Sequence, residues 1–546
     1  MKHLLSLRIF ALLALFCSQS AMIHCLHAQE VNLRGNIVPN GKITIAAVGD
    51  NMYQQEVTLD DSSIFLFSDK YVYFECPEQG YRSDNIRING GTYTATFNLT
   101  TKQWSFEAPI DEYRISAFGS SVCNGQGATG NKGYAYLYGQ QLQERYNSNV
   151  TENPFYVSGI SIGGNTTQNL LDRYAEMTRD HARYVIIGLS MGNEGIHESS
   201  NKQQTLNQFS TNMQTLIRKM KADGKIPVVM NNYTRGDFTA EDYSYIKKMN
   251  LLIHEWDVSS VNTLGAIDDG AGHWASGYQQ DNAHPTTNGH KEFFYAMPPS
   301  LFDAIASGKA QPKRNMQQEM TLADGAAITF QGEEMVHPFT ISVRVKGGQA
   351  GNIFSYLLRS GSRSASVGVD AEGHVVYTNT TNKTLTSEQT LSDDLWHTVT
   401  LTHYYAQGRT LLYVDTNEVG ELRERINSIG QVTVGSVDDT SVARQLAEIF
   451  YYRAAFSPDE VQKLVTGGML KSSLEIYVPT AGADQLDNLA MSLNTVQYVA
   501  PQSANPTAIG SAKDSAHNGK TYTLDGITAH THRGILVTQG KKFLSD

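Results

Sequence analysis

The stretch that decides the fold runs from residue 184 to residue 230 and reads YVIIGLSMGNEGIHESSNKQQTLNQFSTNMQTLIRKMKADGKIPVVM. Its first part, Tyr184–Leu189, is an apolar run of strand length, and Ile226–Met230 is a second one. Between them, Gln203–Asp223 carries apolar residues three or four positions apart, which is the spacing of an amphipathic helix. A strand, a helix and a strand in this order predict parallel strands with helices on both faces of the sheet.

This alternation of strands and helices extends from residue 111 to about residue 310, and a β-rich segment precedes it. Residues 30–110 contain short alternating runs such as Lys42–Ala46 and Tyr71–Phe74. Thr92–Phe97 and Gln103–Phe106 lie on either side of a short polar turn, which predicts a hairpin. We therefore expect an N-terminal β-sandwich accessory domain before the central domain.

A second β-rich segment covers residues 320–472, after the polar linker Gln311–Arg314. Many short strands at regular spacing predict a sandwich or jelly roll. The order of its motifs resembles laminin-G-like, concanavalin-type modules. Such modules bind glycans or only pack against a neighbouring catalytic domain, and the sequence leaves both roles open. The motifs that carry the resemblance are Asp394–Val399, Leu412–Asp415, Ile449–Ala454 and Ser457–Leu464.

The two ends of the chain have the character of export signals. Residues 1–29 combine Lys2 and Arg8 with the apolar run Ile9–Phe16 and a processing point at Ala28, which predicts a signal peptide that is removed. The apolar run is shorter than the about 20 residues that a membrane-spanning helix needs. In the last segment, residues 473–546, the motifs Thr521–Gly526, Arg533–Val537 and Gly540–Leu544 resemble the short β tails of exported, sorted proteins of Bacteroidota-type Gram-negative bacteria. We expect the mature protein to be periplasmic, on the cell surface or secreted.

Charge and cysteine content exclude several function classes. The net charge is −11, and removing residues 1–29 takes away two cations and no acid. An acidic surface disfavours nucleic acid and anionic membranes as partners. Only Cys76 and Cys123 remain after processing, so the sequence predicts no disulfide scaffold and leaves open whether the two pair. His530 and His532 have the spacing of a metal site without further ligands, and we expect an exposed loop there.

Asp281 and His284 form the strongest candidate for catalysis. In Asp281-Asn282-Ala283-His284-Pro285, the carboxylate can orient the imidazole and leave its other nitrogen free to take a proton. Such a pair needs a nucleophile. Ser121 supplies a hydroxyl directly after the apolar run Tyr113–Phe118, where Gly119 allows a sharp turn out of the strand.

Four motifs in the central domain together resemble the SGNH, or GDSL-type, hydrolases. They are Phe118–Ser121, Ser161–Thr166, Met191–Glu194 and Asp281–His284, in the order in which that family has them. The resemblance implies a flavodoxin-like α/β/α fold and a Ser121-His284-Asp281 triad without metal or cofactor. It also implies an oxyanion hole made by the backbone N–H groups of Ser121 and Gly164 and by the side-chain amide of Asn193.

Two features complicate this assignment. The family places aspartate before the nucleophile, whereas this chain has Ser120, a departure that bears on the local turn geometry and on substrate preference. In addition, Ser161 and Ser190 each lie in a G-x-S-x-G string, the nucleophile elbow of α/β-hydrolases. An elbow leads directly into a helix, but Asn193–Glu198 is polar and interrupted by glycine, which disfavours Ser190.

The sequence as a whole predicts a multidomain, exported serine esterase that removes O-acyl, chiefly O-acetyl, groups from carbohydrate. The alternatives are a lipid or thioester hydrolase of the same family and an inactive glycan-binding adhesin. The expected partner is an acylated glycan or another small ester. Tyr233, Trp256 and Trp274 are candidates for a sugar site, although we expect them to be buried core residues. The acyl group, the sugar and the oligomeric state are not encoded in any recognisable motif.

Overall fold

The computed structural model describes residues 29–60, 66–361, 363–438 and 440–501, and the strands 522–523, 534–538 and 541–545. It forms two compact units, residues 1–501 and 502–546. The predicted signal peptide lies almost entirely outside the described residues, as do His530 and His532. No helix in the described part of the chain has the length and apolar character needed to cross a bilayer.

The N-terminal segment is a sandwich of two four-stranded antiparallel sheets, as predicted. Alternate side chains such as Tyr93, Ala95 and Phe97 point into the shared core. The expected hairpin is present, with Phe97 opposite Trp104. The sheets have the orders β2-β1-β5-β6 and β3-β4-β7-β8. The strands are β1 Val31–Gly35, β2 Lys42–Ile45, β3 Ala47–Gly49, β4 Met52–Leu59, β5 Val72–Cys76, β6 Tyr81–Arg82, β7 Gly91–Asn98 and β8 Trp104–Glu107.

The central domain contains a five-stranded parallel sheet, which confirms the predicted α/β/α class. Neighbouring residues of one strand enter different cores: Ile186 packs on one face of the sheet and Ile187 on the other. This two-sided burial explains why the strands read as continuous apolar runs. The strand order is β10-β9-β11-β12-β13. The strands are β9 Asp111–Gly119, β10 Tyr156–Gly159, β11 Ala182–Gly188, β12 Ile226–Met230 and β13 Ser259–Val261.

Eight helices of this domain cover the two faces of the sheet. The helix predicted from residue 203 begins at Lys202, and the side chain of the preceding Asn201 accepts the Gln204 N–H and caps the first turn. Helices α1, α7 and α8 contribute to the core that contains Ile186, and α2 to α5 contribute to the core that contains Ile187. The helices are α1 Tyr134–Asn147, α2 Thr167–Asp172, α3 Tyr174–Arg179, α4 Lys202–Ala222, α5 Ala240–Glu255, α6 Leu264–Ile267, α7 Thr287–Tyr295 and α8 Leu301–Ala306.

The C-terminal module is a sandwich of two seven-stranded antiparallel sheets, which confirms the predicted jelly-roll class. One sheet has the order β14-β25-β16-β21-β22-β23 with β26 also on β25, and the other β20-β19-β18-β17-β24-β15-β27. The elements are β14 Met320–Leu322, β15 Ala327–Phe330, β16 Phe339–Lys346, β17 Gly351–Leu358, β18 Ser364–Val369, β19 His374–Thr378, β20 Thr384–Thr390, β21 Trp396–Tyr404, β22 Arg409–Val414, β23 Asn417–Arg423, β24 Ile429–Gly435, β25 Arg444–Tyr452, α9 Pro458–Val465, β26 Leu474–Pro479 and β27 Val496–Val499.

The structure differs from the sequence interpretation at the end of this module. The predicted tail begins at residue 473, yet β26 and β27 are strands of the two sandwich sheets. Strand β26 is buried at every position: it pairs with β25 along one edge, and Asn488 and Leu489 bond to its backbone along the other. Its apolar residues therefore belong to a core. Within the last unit, the described residues form three antiparallel strands: β28 Tyr522–Thr523, β29 Gly534–Thr538 and β30 Lys541–Ser545.

Cys76 and Cys123 are both buried and both free, so they do not pair. Cys76 belongs to the core of the N-terminal sandwich, and Cys123 packs in the central domain beside the sheet. Each thiol therefore acts as a small apolar packing group.

Candidate active site

The predicted site residues all follow the carboxyl ends of parallel strands. Ser121 comes two residues after β9, Gly164 follows β10, and Asn193 follows β11. His284 lies in the loop between α6 and α7, beyond the last strand. Because parallel strands end at the same edge of a sheet, residues that are distant in sequence converge there.

A sharp turn after β9 presents Ser121. Gly119 is required at the end of the strand, because a Cβ there would lie 2.1 Å from the Gly188 carbonyl oxygen of β11. Ser120 follows, fully buried, and its N–H donates to the same carbonyl at 3.2 Å. The chain then coils, with Asn124 N–H donating to the Ser120 carbonyl at 3.0 Å. This anchored turn leaves the Ser121 side chain at the edge of the sheet.

Two successive hydrogen-bonding contacts join Ser121 to His284 and His284 to Asp281. Ser121 Oγ is 2.9 Å from His284 Nε2. His284 Nδ1 is 2.9 Å from each carboxylate oxygen of Asp281. With the Nδ1 proton directed at the carboxylate, Nε2 is the nitrogen that can accept the serine proton.

The Asp281 carboxylate is held mainly by its own loop. Its Oδ1 accepts the N–H groups of Ala283 at 2.8 Å and of His284 at 2.9 Å. Partial burial raises the pKa of Asp281, but the hydrogen bonds from His284 and from these amides outweigh it, so the pKa lies below its ordinary value. The Asp281 side chain is 56% exposed, whereas that of His284 is 13% exposed. Solvent therefore screens part of the attraction between carboxylate and imidazolium.

The predicted oxyanion donors are the backbone N–H groups of Ser121 and Gly164 and the Asn193 amide, which is bonded to the loop of Gly164. In the described part of the chain, the backbone N–H groups of Ser121 and Gly164 donate to no protein acceptor. Gly164 has a φ of 74°, a left-handed conformation that favours glycine. A side chain at the preceding Gly163 would come within 3.8 Å of Ser121 Cβ, so this loop lies beside the nucleophile. The Asn193 amide donates one N–H to the Asn165 carbonyl at 3.1 Å, and this bond fixes its orientation.

Arg173 joins the nucleophile turn to the Gly164 loop, and the sequence interpretation missed it. Its buried guanidinium donates to the Ile160 carbonyl at 2.8 Å, to the Gly119 carbonyl at 3.3 Å and to the Asn165 side chain. Burial lowers the pKa of Arg173 to about 10, and Glu176 opposes the shift, so the group is charged at neutral pH. Arg173 lies in the turn between α2 and α3, and an arginine in a turn carries no sequence signal for such a role.

His290 is a second supporting residue that the sequence interpretation missed. It is buried, its Nε2 lies 2.9 Å from the Gln126 carbonyl, and its Nδ1 accepts the Tyr134 N–H at 3.4 Å. Burial lowers the pKa of His290 to about 4, so the ring is neutral at neutral pH. A neutral ring with Nε2 protonated satisfies both contacts and fixes the loop that follows Ser121.

The two serines that lie in G-x-S-x-G strings do not contact His284 in the hydrogen bonds described for them. Ser161 is buried and donates to the Ala117 carbonyl at 2.8 Å. Ser190 is buried, and its hydroxyl accepts the Gly192 N–H at 3.3 Å. No helix follows Ser190 directly, which agrees with the sequence argument against an elbow at that position.

The aromatic candidates divide into two groups. Tyr233 and Trp274 are buried as expected and stack on each other with ring centroids 5.9 Å apart. Trp274 also donates its indole N–H to the Asn282 carbonyl at 3.0 Å, so it supports the loop that carries His284. Trp256 is only half-buried, at the end of α5. Among the residues that the structure describes, no three His, Cys, Asp or Glu side chains are grouped to hold a metal ion.

Comparison with known proteins assigns this region to a family. The model of the GDSL-like Lipase/Acylhydrolase family matches residues 117–292, a range that contains every predicted site residue. No curated protein matches the chain.

The solved structures that match parts of this chain have low identity to it. An acetylxylan esterase from Geobacillus stearothermophilus, solved as a catalytic mutant, is 16% identical, with 35% of this chain and 93% of that chain covered and a TM-score of 0.29. A putative lipolytic protein of the G-D-S-L family from Desulfitobacterium hafniense is 16% identical, with 34% and 96% covered and a TM-score of 0.28. Domains LG4-5 of the mouse laminin alpha1 chain are 13% identical, with 28% and 45% covered and a TM-score of 0.23. The family assignment rests on the family model alone.

Proposed function

We propose that this chain, whose residues 117–292 form a GDSL-like lipase/acylhydrolase domain, is an exported serine esterase that removes O-acyl, chiefly O-acetyl, groups from carbohydrate. The observation that carries the proposal is the 2.9 Å contact between Ser121 Oγ and His284 Nε2 at the carboxyl edge of the sheet. Export is supported by the signal-like residues 1–29. A carbohydrate substrate is supported by the β modules on both sides of the catalytic domain.

The reaction proceeds in two steps. Ser121 Oγ attacks the ester carbonyl and gives its proton to His284 Nε2, while Asp281 stabilises the imidazolium. The N–H groups of Ser121 and Gly164 and the amide of Asn193 bind the oxyanion, and each such donor is worth about 10²–10³ in turnover. His284 then protonates the departing sugar hydroxyl, which leaves an acyl group on Ser121.

Water completes the cycle. His284 takes a proton from a water molecule that attacks the acyl carbonyl, and the same oxyanion donors stabilise the second tetrahedral intermediate. When this intermediate collapses, His284 returns the proton to Ser121 Oγ and the carboxylic acid departs. All proton transfers use one imidazole, so the chemistry requires no metal ion or cofactor.

A substrate panel tests the proposal. Acid release is measured from acetylated xylan, mannan and pectin, from 4-nitrophenyl acetate, from a long-chain 4-nitrophenyl ester and from an acyl thioester, with Ser121→Ala as background. We expect the highest kcat/KM on an acetylated polysaccharide. A preference for the long-chain ester or the thioester would replace the carbohydrate assignment with a lipid or thioester hydrolase. Binding to glycans without hydrolysis of any ester would favour the adhesin.

A further inference from the structure

A groove of about 540 Å³ lies between the N-terminal sandwich and helices α2 and α3 of the catalytic domain. This volume falls within the range of about 300–1,000 Å³ that is typical of small-molecule sites. The N-terminal sandwich forms one wall with Asn85, Arg87 and Trp104, and the catalytic domain forms the other.

One end of the groove reaches the loop that carries Gly164. Ile162 and Asn165 line this end. Asn165 is the residue whose carbonyl accepts the Asn193 amide, and Gly163 adjoins Ser121. A chain-like ligand with its ester at Ser121 can therefore continue into the groove.

The two walls are joined by polar contacts, so the groove is a built feature. Arg87 lies 2.6 Å from Glu176 of α3, and Asn89 donates to Asp180 at 2.7 Å. Arg179 places its guanidinium 5.3 Å from the centre of the Trp104 ring and donates to the Arg87 carbonyl at 3.3 Å. These contacts place the Trp104 wall opposite the helices.

The lining suits a sugar chain. Beside the Arg179 guanidinium that packs on it, the Trp104 indole offers an apolar surface for the C–H groups of a pyranose ring, and amide groups donate to hydroxyl oxygens. Asn85 and Asn165 supply such amide donors along the groove. Most of the described residues that line this groove are polar or charged, whereas a site for a fatty acyl chain would have an apolar lining.

We propose that this groove binds the sugar chain of the O-acylated substrate, so that the N-terminal sandwich forms part of the substrate-binding site. The inference rests on the esterase function proposed above. It adds the direction in which the bound sugar chain extends from Ser121. It predicts that a long substrate uses the groove, whereas 4-nitrophenyl acetate is too small to reach it.

A blocking substitution tests the groove without removing any existing contact. Ala175 is exposed on α3 and lines the groove, so Ala175→Trp fills it from the solvent side. Ala222 is exposed at the end of α4, away from the groove, so Ala222→Trp is the matched control. Both variants and the unchanged protein are assayed on the acetylated oligosaccharide that the unchanged protein cleaves best and on 4-nitrophenyl acetate.

We expect Ala175→Trp to lower kcat/KM on the oligosaccharide at least tenfold, mainly through KM, and to change hydrolysis of 4-nitrophenyl acetate less than twofold. Ala222→Trp is expected to leave both unchanged. Trp104→Ala is expected to raise KM for the oligosaccharide in the same way. Unchanged oligosaccharide kinetics in Ala175→Trp, or an equal loss on both substrates, would overturn the groove assignment. If the unchanged protein cleaved 4-nitrophenyl acetate but no acetylated oligosaccharide, the carbohydrate function itself would fail.

Discussion

The exposed carboxylate of Asp281 sets this site apart from triads with a buried aspartate. Two backbone N–H groups hold Asp281 in its loop, and its side chain is more than half exposed. Its negative charge is therefore partly screened by water, and the stabilisation that it gives to the imidazolium is smaller than in a buried site.

We accordingly expect Asp281→Ala to reduce kcat by about 10²-fold, well below the about 10⁴-fold loss that follows neutralisation of a buried triad aspartate. Steady-state kinetics on 4-nitrophenyl acetate measure this loss. His284→Ala serves as the reference and is expected to lose about 10⁴-fold or more. Equal losses in the two variants would show that Asp281 is as important as a buried carboxylate.

Ser190 provides a second test at the residue scale. Because its hydroxyl accepts a hydrogen bond from Gly192 in its own turn, we expect Ser190→Ala to keep kcat within about threefold and to lose about 1 kcal/mol of stability with that bond. Activity and urea denaturation measure the two effects. Loss of activity in Ser190→Ala but not in Ser121→Ala would favour an elbow nucleophile.

The residues that react could be predicted from sequence, but the residues that hold them could not. Ser121, Gly164, Asn193 and the Asp281–His284 pair occur in short motifs at strand ends, and such motifs are local. The contacts of His290 with the Gln126 loop and those of Arg173 join segments that are distant in sequence. No spacing rule identifies which of many arginines or histidines makes them.

At the scale of elements, Arg173 binds the ends of two neighbouring strands. Its guanidinium reaches carbonyls after β10 and at the end of β9, so it sets the distance between the oxyanion loop and the nucleophile turn. We call it a positioning residue because it acts on the site through these backbone groups and the Asn165 side chain.

Arg173→Lys retains the charge but cannot reach all of these acceptors at once, since an ammonium is a point donor. We expect kcat to fall about tenfold to a hundredfold with KM changed less than about threefold, because small displacements of reacting groups are that costly. Circular dichroism confirms the fold, and Arg218→Lys, at an exposed position on α4, is the control. A change in KM alone would contradict a positioning role.

His397 at the start of β21 predicts a pH dependence of stability. It lies between Asp415, 2.8 Å from Nδ1, and Asp393, 2.9 Å from Nε2. The hydrogen bond to Asp415 raises the pKa of His397 to about 9, although burial opposes it and Asp393 assists it. The charged ring therefore stabilises the fold fully below its unfolded pKa of about 6.5, and this stabilisation is lost as the pH rises through about 9.

His397→Gln removes this titration. We expect the Tm difference between the unchanged protein and His397→Gln to be largest near pH 6 and to shrink as the pH approaches about 10. Thermal unfolding followed by circular dichroism across this range measures the difference. A difference that is constant with pH would show that His397 contributes packing only.

At the scale of the whole molecule, the C-terminal module is joined to the catalytic domain by buried charges. Arg453 is fully buried, 3.0 Å from Glu475, and donates to the Tyr295 carbonyl at 2.7 Å. Glu460 of α9 accepts the Asn262 amide at 2.6 Å and lies 3.1 Å from His254. These contacts support a packing role for the module and leave glycan binding as a separate question.

Sequence patterns predicted the class of each module but not this interface. Alternating and continuous apolar runs depend on local geometry and could be recognised in β21, β25 and the parallel strands. The partners Asn262 and Glu460 are almost 200 residues apart, and both are polar, so each reads as a surface residue. The tail predicted from residue 473 includes β26, yet β26 pairs with β25 and is buried in the sandwich.

Removing the Arg453 charge is expected to destabilise both domains together. Arg453→Met leaves Glu475 buried without its partner, which costs about 3–5 kcal/mol. Urea unfolding is followed by tryptophan fluorescence and by loss of esterase activity, and we expect both curves to shift together. Arg423→Met, whose side chain is 71% exposed, is expected to change stability by less than about 0.5 kcal/mol. Loss of activity well before the fluorescence change would indicate independent domains.

The most direct test of the account is covalent labelling by a serine-directed phosphonate, followed by peptide mass spectrometry. The account predicts a single adduct on Ser121, formed rapidly in the unchanged protein and far more slowly in His284→Ala, since the imidazole activates the hydroxyl. An adduct on Ser190 or Ser161, or labelling of Ser121 at the same rate without His284, would contradict it.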